Sequence, residues 1–263
     1  MVLATLAIQR HNAAKLLFFN LNQGVIHMKK YLAISLALSC FAQPAIAANN
    51  IDLTNFASVQ ADFKSFSEDL GSALSYKAVI PAEPLGITGF DVALEVSSTE
   101  TKNLGKAIGT TDTTMIVPKL HVHKGLPFNI DVGAFYSSVP TTNIKLVGAE
   151  LRYAILEGGM AMPAVAVRAA MSKLSGVDEL ALNTSSFDLS ISKGFAMFTP
   201  YAGVGTVKVS SDPGNTIGLT KESFNQSKTF AGINLNLGLT NIAVEYDKTG
   251  EATSYSAKIG LRF

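Results

Sequence analysis

Cysteine is almost absent from this chain: the one cysteine in 263 residues is Cys40. That excludes a disulfide framework and a thiolate metal site. An excess of positive charge is missing too. Four of the 21 basic residues, Arg10, Lys15, Lys29 and Lys30, precede Ala48. The 17 that follow face 20 acidic residues, a formal charge of −3. Nothing in that balance is a nucleic-acid footprint, and no nucleic-acid partner is expected. Beyond residue 47 there is no run of eighteen apolar residues either, which excludes a helical membrane protein. A soluble periplasmic β-protein and a membrane β-barrel remain.

What is present begins with a secretory signal. From Met28 the chain reads "MKKYLAISLALSCFAQPAIAANN". Lys29 and Lys30 supply the positive start, Tyr31 to Ala42 the apolar stretch, and Ala45 to Ala47 a small-x-small cleavage site. Residues 28–47 are therefore expected to be a signal peptide, and cleavage after Ala47 leaves 216 of the 263 residues. Residues 1–27 are expected to be an upstream extension that is not translated, with Met28 the true start. A transmembrane helix there is disfavoured by Arg10, His11 and Lys15. Lipid attachment at Cys40 is the alternative to cleavage at Ala47, and Ala37-Leu38-Ser39 fit it poorly.

From Gly86 onward apolar and polar residues alternate. Ten segments have period two: 89–96, 116–123, 128–136, 147–155, 165–171, 187–192, 201–209, 231–237, 242–246 and 253–263. Strict alternation over such lengths is the mark of strands with one apolar face. The longer segments approach the roughly 9–11 residues needed to cross a bilayer at a tilt. Short links, "KGLP" (124–127), "EGGMAM" (157–162), "KGFAMFTP" (193–200) and "GLT" (238–240), alternate with others that include two long ones, about 98–113 and 210–224. That is the asymmetry of periplasmic turns and extracellular loops. The expected fold is an antiparallel transmembrane β-barrel over 86–263 with ten strands. Twelve strands, with residues 73–79 recruited, are the alternative. An even count puts both ends of the barrel on the periplasmic side.

The last strand carries a resemblance. Tyr255, Ala257, Ile259, Leu261 and Phe263 alternate with polar residues, Gly260 lies among them, and the sequence ends on Phe263. This resembles the C-terminal assembly signal of outer-membrane barrels, carried here by Tyr255, Ile259, Gly260, Leu261 and Phe263. Leu261 stands where an aromatic is more usual. "FTPYAGVG" (198–205) is similar to a strand opening that recurs in small outer-membrane proteins after a periplasmic turn. The whole mature chain resembles the small Gram-negative outer-membrane β-barrels. The resemblance implies an outer-membrane location, outer-membrane lipid around the wall, and periplasmic chaperones and the barrel-assembly machinery as partners.

Residues 48–85 break the alternation and are expected to form a helical, plug-like segment. Phe56, Val59, Phe63, Phe66 and Leu70 recur at spacings of three and four, the apolar face of a helix capped by Thr54 and closed by Gly71. The helix is expected to cover the periplasmic mouth or to pack on the inner wall; a movable hatch is the alternative. Full insertion is expected to suit twelve strands better than ten, because a helix is about 10 Å across.

With apolar faces toward lipid, the polar faces line the lumen. The lining candidates are Glu95, Lys119, His121, His123, Asp131, Glu150, Arg152, Arg168, Lys208, Glu245 and Lys258. Asp91, Asp188 and Arg262 also point inward, so the signs balance. Balanced charges in a narrow barrel pair with one another, whereas a selective pore carries one sign in excess. His121 and His123 share a face, and with Glu95 or Asp131 they would make a divalent-metal site; two histidines alone specify none. No spacing sets Ser186 or Ser190 beside His121, and no nucleophile elbow is present. The expectation is a barrel without cofactor, metal or catalysis, passive in solute passage or in envelope structure. A lipid-acting barrel enzyme at the level of His121 and His123 is the alternative.

Overall fold

A computed structural model describes residues 51, 53–56, 59–103, 114–139, 143–215 and 218–263. The expected upstream extension 1–27 and signal peptide 28–47 lie outside the described residues. Among the described residues ten strands form: β1 (Phe90–Glu100), β2 (Thr114–Leu126), β3 (Ile130–Ser138), β4 (Lys145–Glu157), β5 (Ala164–Ser175), β6 (Ala181–Ser192), β7 (Phe198–Asp212), β8 (Glu222–Leu237), β9 (Thr240–Thr249) and β10 (Ala252–Arg262). Each pairs antiparallel with the next, and β1 pairs with β10, so the sheet is a closed barrel. The final residue completes the seam. Phe90 N donates to Phe263 O at 2.6 Å, and Phe263 N donates to Phe90 O at 2.9 Å. Closure leaves no unpaired strand edge, which a wall surrounded by hydrocarbon requires. The ten expected segments each overlap one of these strands, with Gly89, Phe128, Asn129 and Phe263 falling just outside; among the described residues twelve strands do not form, and residues 75–80 have no regular structure.

The two ends of the barrel differ. Turns 127–129, 158–163, 193–197 and 238–239 lie at the end where β1 begins and β10 stops. The two-residue turn between β8 and β9 is possible because Gly238 takes φ 72°. The longest connections, those that leave β1 at Glu100 and β7 at Asp212, start from the other end. In barrels of this kind short turns are periplasmic and long loops extracellular.

The segment before β1 contains a 3-10 turn (Leu53–Phe56), a helix α1 (Gln60–Leu74), and an irregular stretch down to β1. Phe63, Phe66, Leu70 and Leu74 form the buried face of α1, and the Phe56 ring packs 5.1 Å from that of Phe66. Two details of the expected helix are corrected. Val59 is not on the apolar face: it is the N-cap residue, with φ −118° and ψ 79° outside the helical range, and is exposed. Thr54 belongs to the 3-10 turn, and Gly71 lies within α1, which ends at Leu74.

The helix is inside the barrel, which ten strands accommodate. Its partners all come from the loop end. Gln60 Nε2 donates to the Thr220 carbonyl at 3.1 Å, Ser67 Oγ to Ser211 Oγ at 2.9 Å, and Ser72 Oγ to the Thr249 carbonyl at 2.9 Å. Ser172 Oγ of β5 donates to the Leu74 carbonyl at 2.8 Å. So α1 packs on the inner wall, and it does so at the opposite end from the periplasmic mouth it was expected to cover.

This placement divides the barrel along its axis. Around α1 the interior is apolar: Met115, Val117, Leu146, Leu174, Leu182, Val207 and Val209 are buried in one cluster with Phe63, Phe66 and Leu70. Below it the interior is charged. The exterior changes in the opposite sense. On β7, Phe198, Pro200, Ala202 and Val204 point outward, followed by Thr206, Lys208 and Ser210. On β5, Val165, Val167, Ala169 and Met171 point outward, followed by Lys173 and Ser175. The turn-side part is apolar outside and polar inside, as hydrocarbon demands. The loop-side part is apolar inside and polar outside, as in a soluble protein. Lys208 is therefore corrected: it points outward, while Val207 and Val209 face α1. One face rule was applied to the whole strand, and the rule reverses where the wall leaves the bilayer.

Candidate functional site

The candidate site is the filled lumen below α1. Strand alternation aims one side chain in two inward, and the sequence puts charge at those positions on nine of the ten strands, all but β7. Ten of the eleven expected lining residues are buried there: Glu95, Lys119, His121, His123, Asp131, Glu150, Arg152, Arg168, Glu245 and Lys258. Burial without partners would cost several kcal/mol for each charge, and the partners are present. Lys119 Nζ lies 2.8 Å from Glu95, and Arg168 NH2 lies 2.7 Å from Asp188. Lys228 Nζ is 3.2 Å from Asp188, Arg262 NH2 is 2.9 Å from Asp91, and Tyr201 donates to Glu245 at 3.0 Å.

The chain's own N-terminal segment runs through this network. Arg152 of β4 binds Asp131 of β3 through Nε at 3.1 Å and NH2 at 2.7 Å, and its NH1 donates to the Pro81 carbonyl at 2.6 Å. Leu85 N donates to Asp131 Oδ1 at 3.0 Å, and Ala82 N to Ser192 Oγ at 3.1 Å. Lys228 Nζ donates to the Tyr76 carbonyl at 3.0 Å. Lys77 is fully buried, 3.4 Å from Asp247, and its ammonium also donates to the Ser72 carbonyl at 2.8 Å. Residues 76–85 thus descend from α1 to the turn end, bonded to the wall along the way.

Lys77 completes the charge balance. The strands aim seven carboxylates inward: Asp91, Glu95, Asp131, Glu150, Asp188, Glu245 and Asp247. They aim six cations: Lys119, Arg152, Arg168, Lys228, Lys258 and the half-buried Arg262. The threaded segment brings the seventh. Lys228, Asp247 and Lys77 were missed from the sequence. The first two lie in the expected inward register one or two turns of alternation outside the segments quoted for β8 and β9. Lys77 gives no periodic signal at all.

His121 and His123 stack at 5.6 Å between ring centroids. Each is occupied by a neighbour. His121 Nε2 is 2.5 Å from Glu95 Oε2, and His123 Nε2 is 3.3 Å from the Tyr76 hydroxyl and 3.4 Å from Glu150. Among the described residues no three His, Cys, Asp or Glu side chains are arranged to hold a metal ion. Ser186 and Ser190 lie on β6, whose wall neighbours are β5 and β7, and the histidines lie on β2. The chemistry these groups support is charge compensation.

At the loop end Asp69 of α1 accepts from Asn103 N at 2.7 Å and from its Nδ2 at 3.1 Å. Burial pushes this carboxyl up from the usual range, and the Asn103 bonds oppose the shift. A cleft of about 430 Å³ opens beside it, lined by residues such as Glu68, Lys102, Gln226 and Glu251. Its lining belongs to the loop end, so it is a surface recess of the plug.

The expected assembly-signal residues lie along β10. Tyr255, Ile259 and Phe263 are exposed on the outer face, Leu261 is half-buried, and Gly260 is buried against Ala93 of β1. The Tyr255 ring packs 5.6 Å from that of Tyr246. A closed barrel with an apolar band and a charged interior is a bilayer-spanning structure, and for a chain of this kind the bilayer is the bacterial outer membrane.

No protein-family model matches the chain, and no curated protein matches it in sequence. Solved outer-membrane barrels do match in structure. A loop-deletion mutant of OmpT, an outer membrane protein of Vibrio cholerae, is 12% identical with a TM-score of 0.31. The match covers 57% of this chain and 54% of that one, so this chain spans about half its length. The KdgM porin in complex with disordered oligogalacturonate is 6% identical, covering 66% and 99% of the two chains, with a TM-score of 0.38. The β-domain of the Bordetella autotransporter BrkA is 12% identical, covering 67% and 100%, with a TM-score of 0.40. At these values the likeness says nothing of activity.

Proposed function

We propose that the protein is a self-plugged outer-membrane barrel whose role in the envelope is structural, without a standing pore. One observation carries this reading. The guanidinium of Arg152 joins the wall, through Asp131, to the threaded segment, through the Pro81 carbonyl, all within 3.1 Å. The neutral balance reached only with Lys77 supports it further, because removing the segment strands an unpaired buried carboxylate. Solute passage requires residues 76–85 to leave, breaking the contacts of Arg152, Lys228, Asp131 and Ser192 together. Assembly into the membrane proceeds through the C-terminal strand and its terminal Phe263, with the barrel-assembly machinery and periplasmic chaperones as partners.

Planar-bilayer recording of the refolded full chain tests the reading. The expected record is flat at applied voltages that open unplugged barrels. Steady, ohmic single-channel steps from the native chain would count against a plugged resting state.

A further inference from the structure

The direction of the threaded segment has a consequence for the side of the membrane on which the chain upstream of it lies. β1 starts at the turn end. Going backward from it, Leu85 meets Asp131 and Ala82 meets Ser192, both near the turn end. Tyr76 meets His123 within the charged part of the lumen, Leu74 meets Ser172, and Gln60 meets Thr220 in the loop 213–221. The 3-10 turn Leu53–Phe56 is buried at the same end, its Phe56 packed 5.1 Å from Phe66 and in one cluster with the loop residues Leu180 and Leu219. The chain therefore crosses the barrel once, from the loop mouth to the turn mouth, before β1 begins. From the parity of the strands alone, both ends of the chain would be periplasmic.

We propose that the barrel delivers its own N-terminal segment to the cell surface: the chain preceding Gln60 lies on the extracellular side, and its route there is the lumen. This goes beyond the structural role and rests on the outer-membrane barrel reading. The chemistry of α1 supports the route. Asp62, Lys64, Glu68 and Asp69 lie on it, and charged side chains do not cross hydrocarbon at an acceptable cost. The charged lumen is the polar path available. The β1–β10 seam joins the first strand to β10, with Phe90 and Phe263 paired at its end, so the segment can be laid in the lumen before that seam closes.

Single-cysteine labelling in intact cells tests this. Val59→Cys replaces an exposed side chain at the start of α1, and Met160→Cys replaces a fully exposed one in the turn 158–163. Neither disturbs the interior, and Cys40 leaves with the signal. A membrane-impermeant maleimide is expected to label Val59→Cys in intact cells and Met160→Cys only after the outer membrane is permeabilised. The same should hold for an epitope inserted between Asn49 and Asn50, read with antibody on whole cells. Labelling of Val59→Cys only after permeabilisation, with the protein still in the outer-membrane fraction, would overturn the proposal. So would the reverse pattern, with Met160→Cys reactive in intact cells and Val59→Cys protected. Absence of the protein from the membrane fraction would instead remove the barrel reading beneath it, and the proposal with it.

Discussion

Gly71 of α1 meets Val209 of β7 with no room for a side chain between them. A Cβ on Gly71 would lie 2.6 Å from Val209 Cγ2 and 2.8 Å from Cγ1. A glycine inside a helix costs roughly 0.5–1 kcal/mol relative to alanine. Here that loss allows the helix backbone to approach the wall of a narrow barrel. Gly71→Leu should unseat α1, at an overpacking cost of about 1–3 kcal/mol. The check is limited proteolysis of the refolded protein: the segment before β1 should be cut faster than in the native chain while the barrel stays intact. An unchanged cutting rate would mean that α1 does not depend on this approach.

Lys77 and Asp247 are a buried pair, both fully inaccessible, 3.4 Å apart. Lys77→Met leaves Asp247 without its counter-ion and should cost about 3–5 kcal/mol. Lys77→Met combined with Asp247→Leu should recover most of that loss, because an apolar pair of similar volume replaces the ions. Denaturant unfolding in detergent measures both. A double variant no better than the single one would show that the pair does not interact as its geometry implies.

Ala202 and Lys208 both point outward from β7, at different heights. Ala202→Arg places a charge within the apolar band and should cost about 2–4 kcal/mol near the midplane. Lys208→Ala alters a residue above that band and should change stability by about 0.5 kcal/mol or less. Unfolding in lipid vesicles, rather than in detergent, distinguishes them. Equal costs at the two positions would contradict the reversal of inside and outside along the axis.

The Phe263 amide and carbonyl complete the pairing with Phe90, and the two rings pack at 5.6 Å. Deleting Phe263 should reduce the amount of protein reaching the outer membrane and leave protease-sensitive periplasmic material. Material that does assemble should unfold close to the native chain, since the change removes one terminal pair from a seam nine further pairs long. Fractionation followed by unfolding separates these effects, and normal membrane levels would remove Phe263 from the assembly signal.

The wall was legible because alternation at period two is imposed by the bilayer itself. "GFDVALEV" and "IVPKLHVH" assign each side chain in β1 and β2 to its face without further information. The rule failed at Lys208, where the wall continues past the hydrocarbon and the helix replaces water inside. The apolar spacing of Phe63, Phe66 and Leu70 revealed a helix, but a helix face packs equally well on either mouth or on the wall. Its location at the loop end is decided by scattered polar contacts such as Gln60 with Thr220, which leave no periodic trace. Val59 was misplaced because a spacing of three or four does not reveal where the helix begins, and Val59 is its N-cap. Lys77 was invisible for the same kind of reason: its role depends on Asp247, 170 residues away.

A disulfide trap between α1 and the wall tests the filled lumen most directly. The hydroxyls of Ser67 and Ser211 are 2.9 Å apart and fully buried. Cysteines at both positions would bring two sulfurs near the bonding distance of about 2.05 Å with little backbone movement. Cleavage after Ala47, as the sequence leads one to expect, would remove Cys40, the one other thiol. Ser67→Cys with Ser211→Cys should form the bond in the outer membrane, seen as a mobility shift on a non-reducing gel that reductant abolishes. Two free thiols, both reactive in the assembled protein, would contradict the placement of α1 inside the barrel.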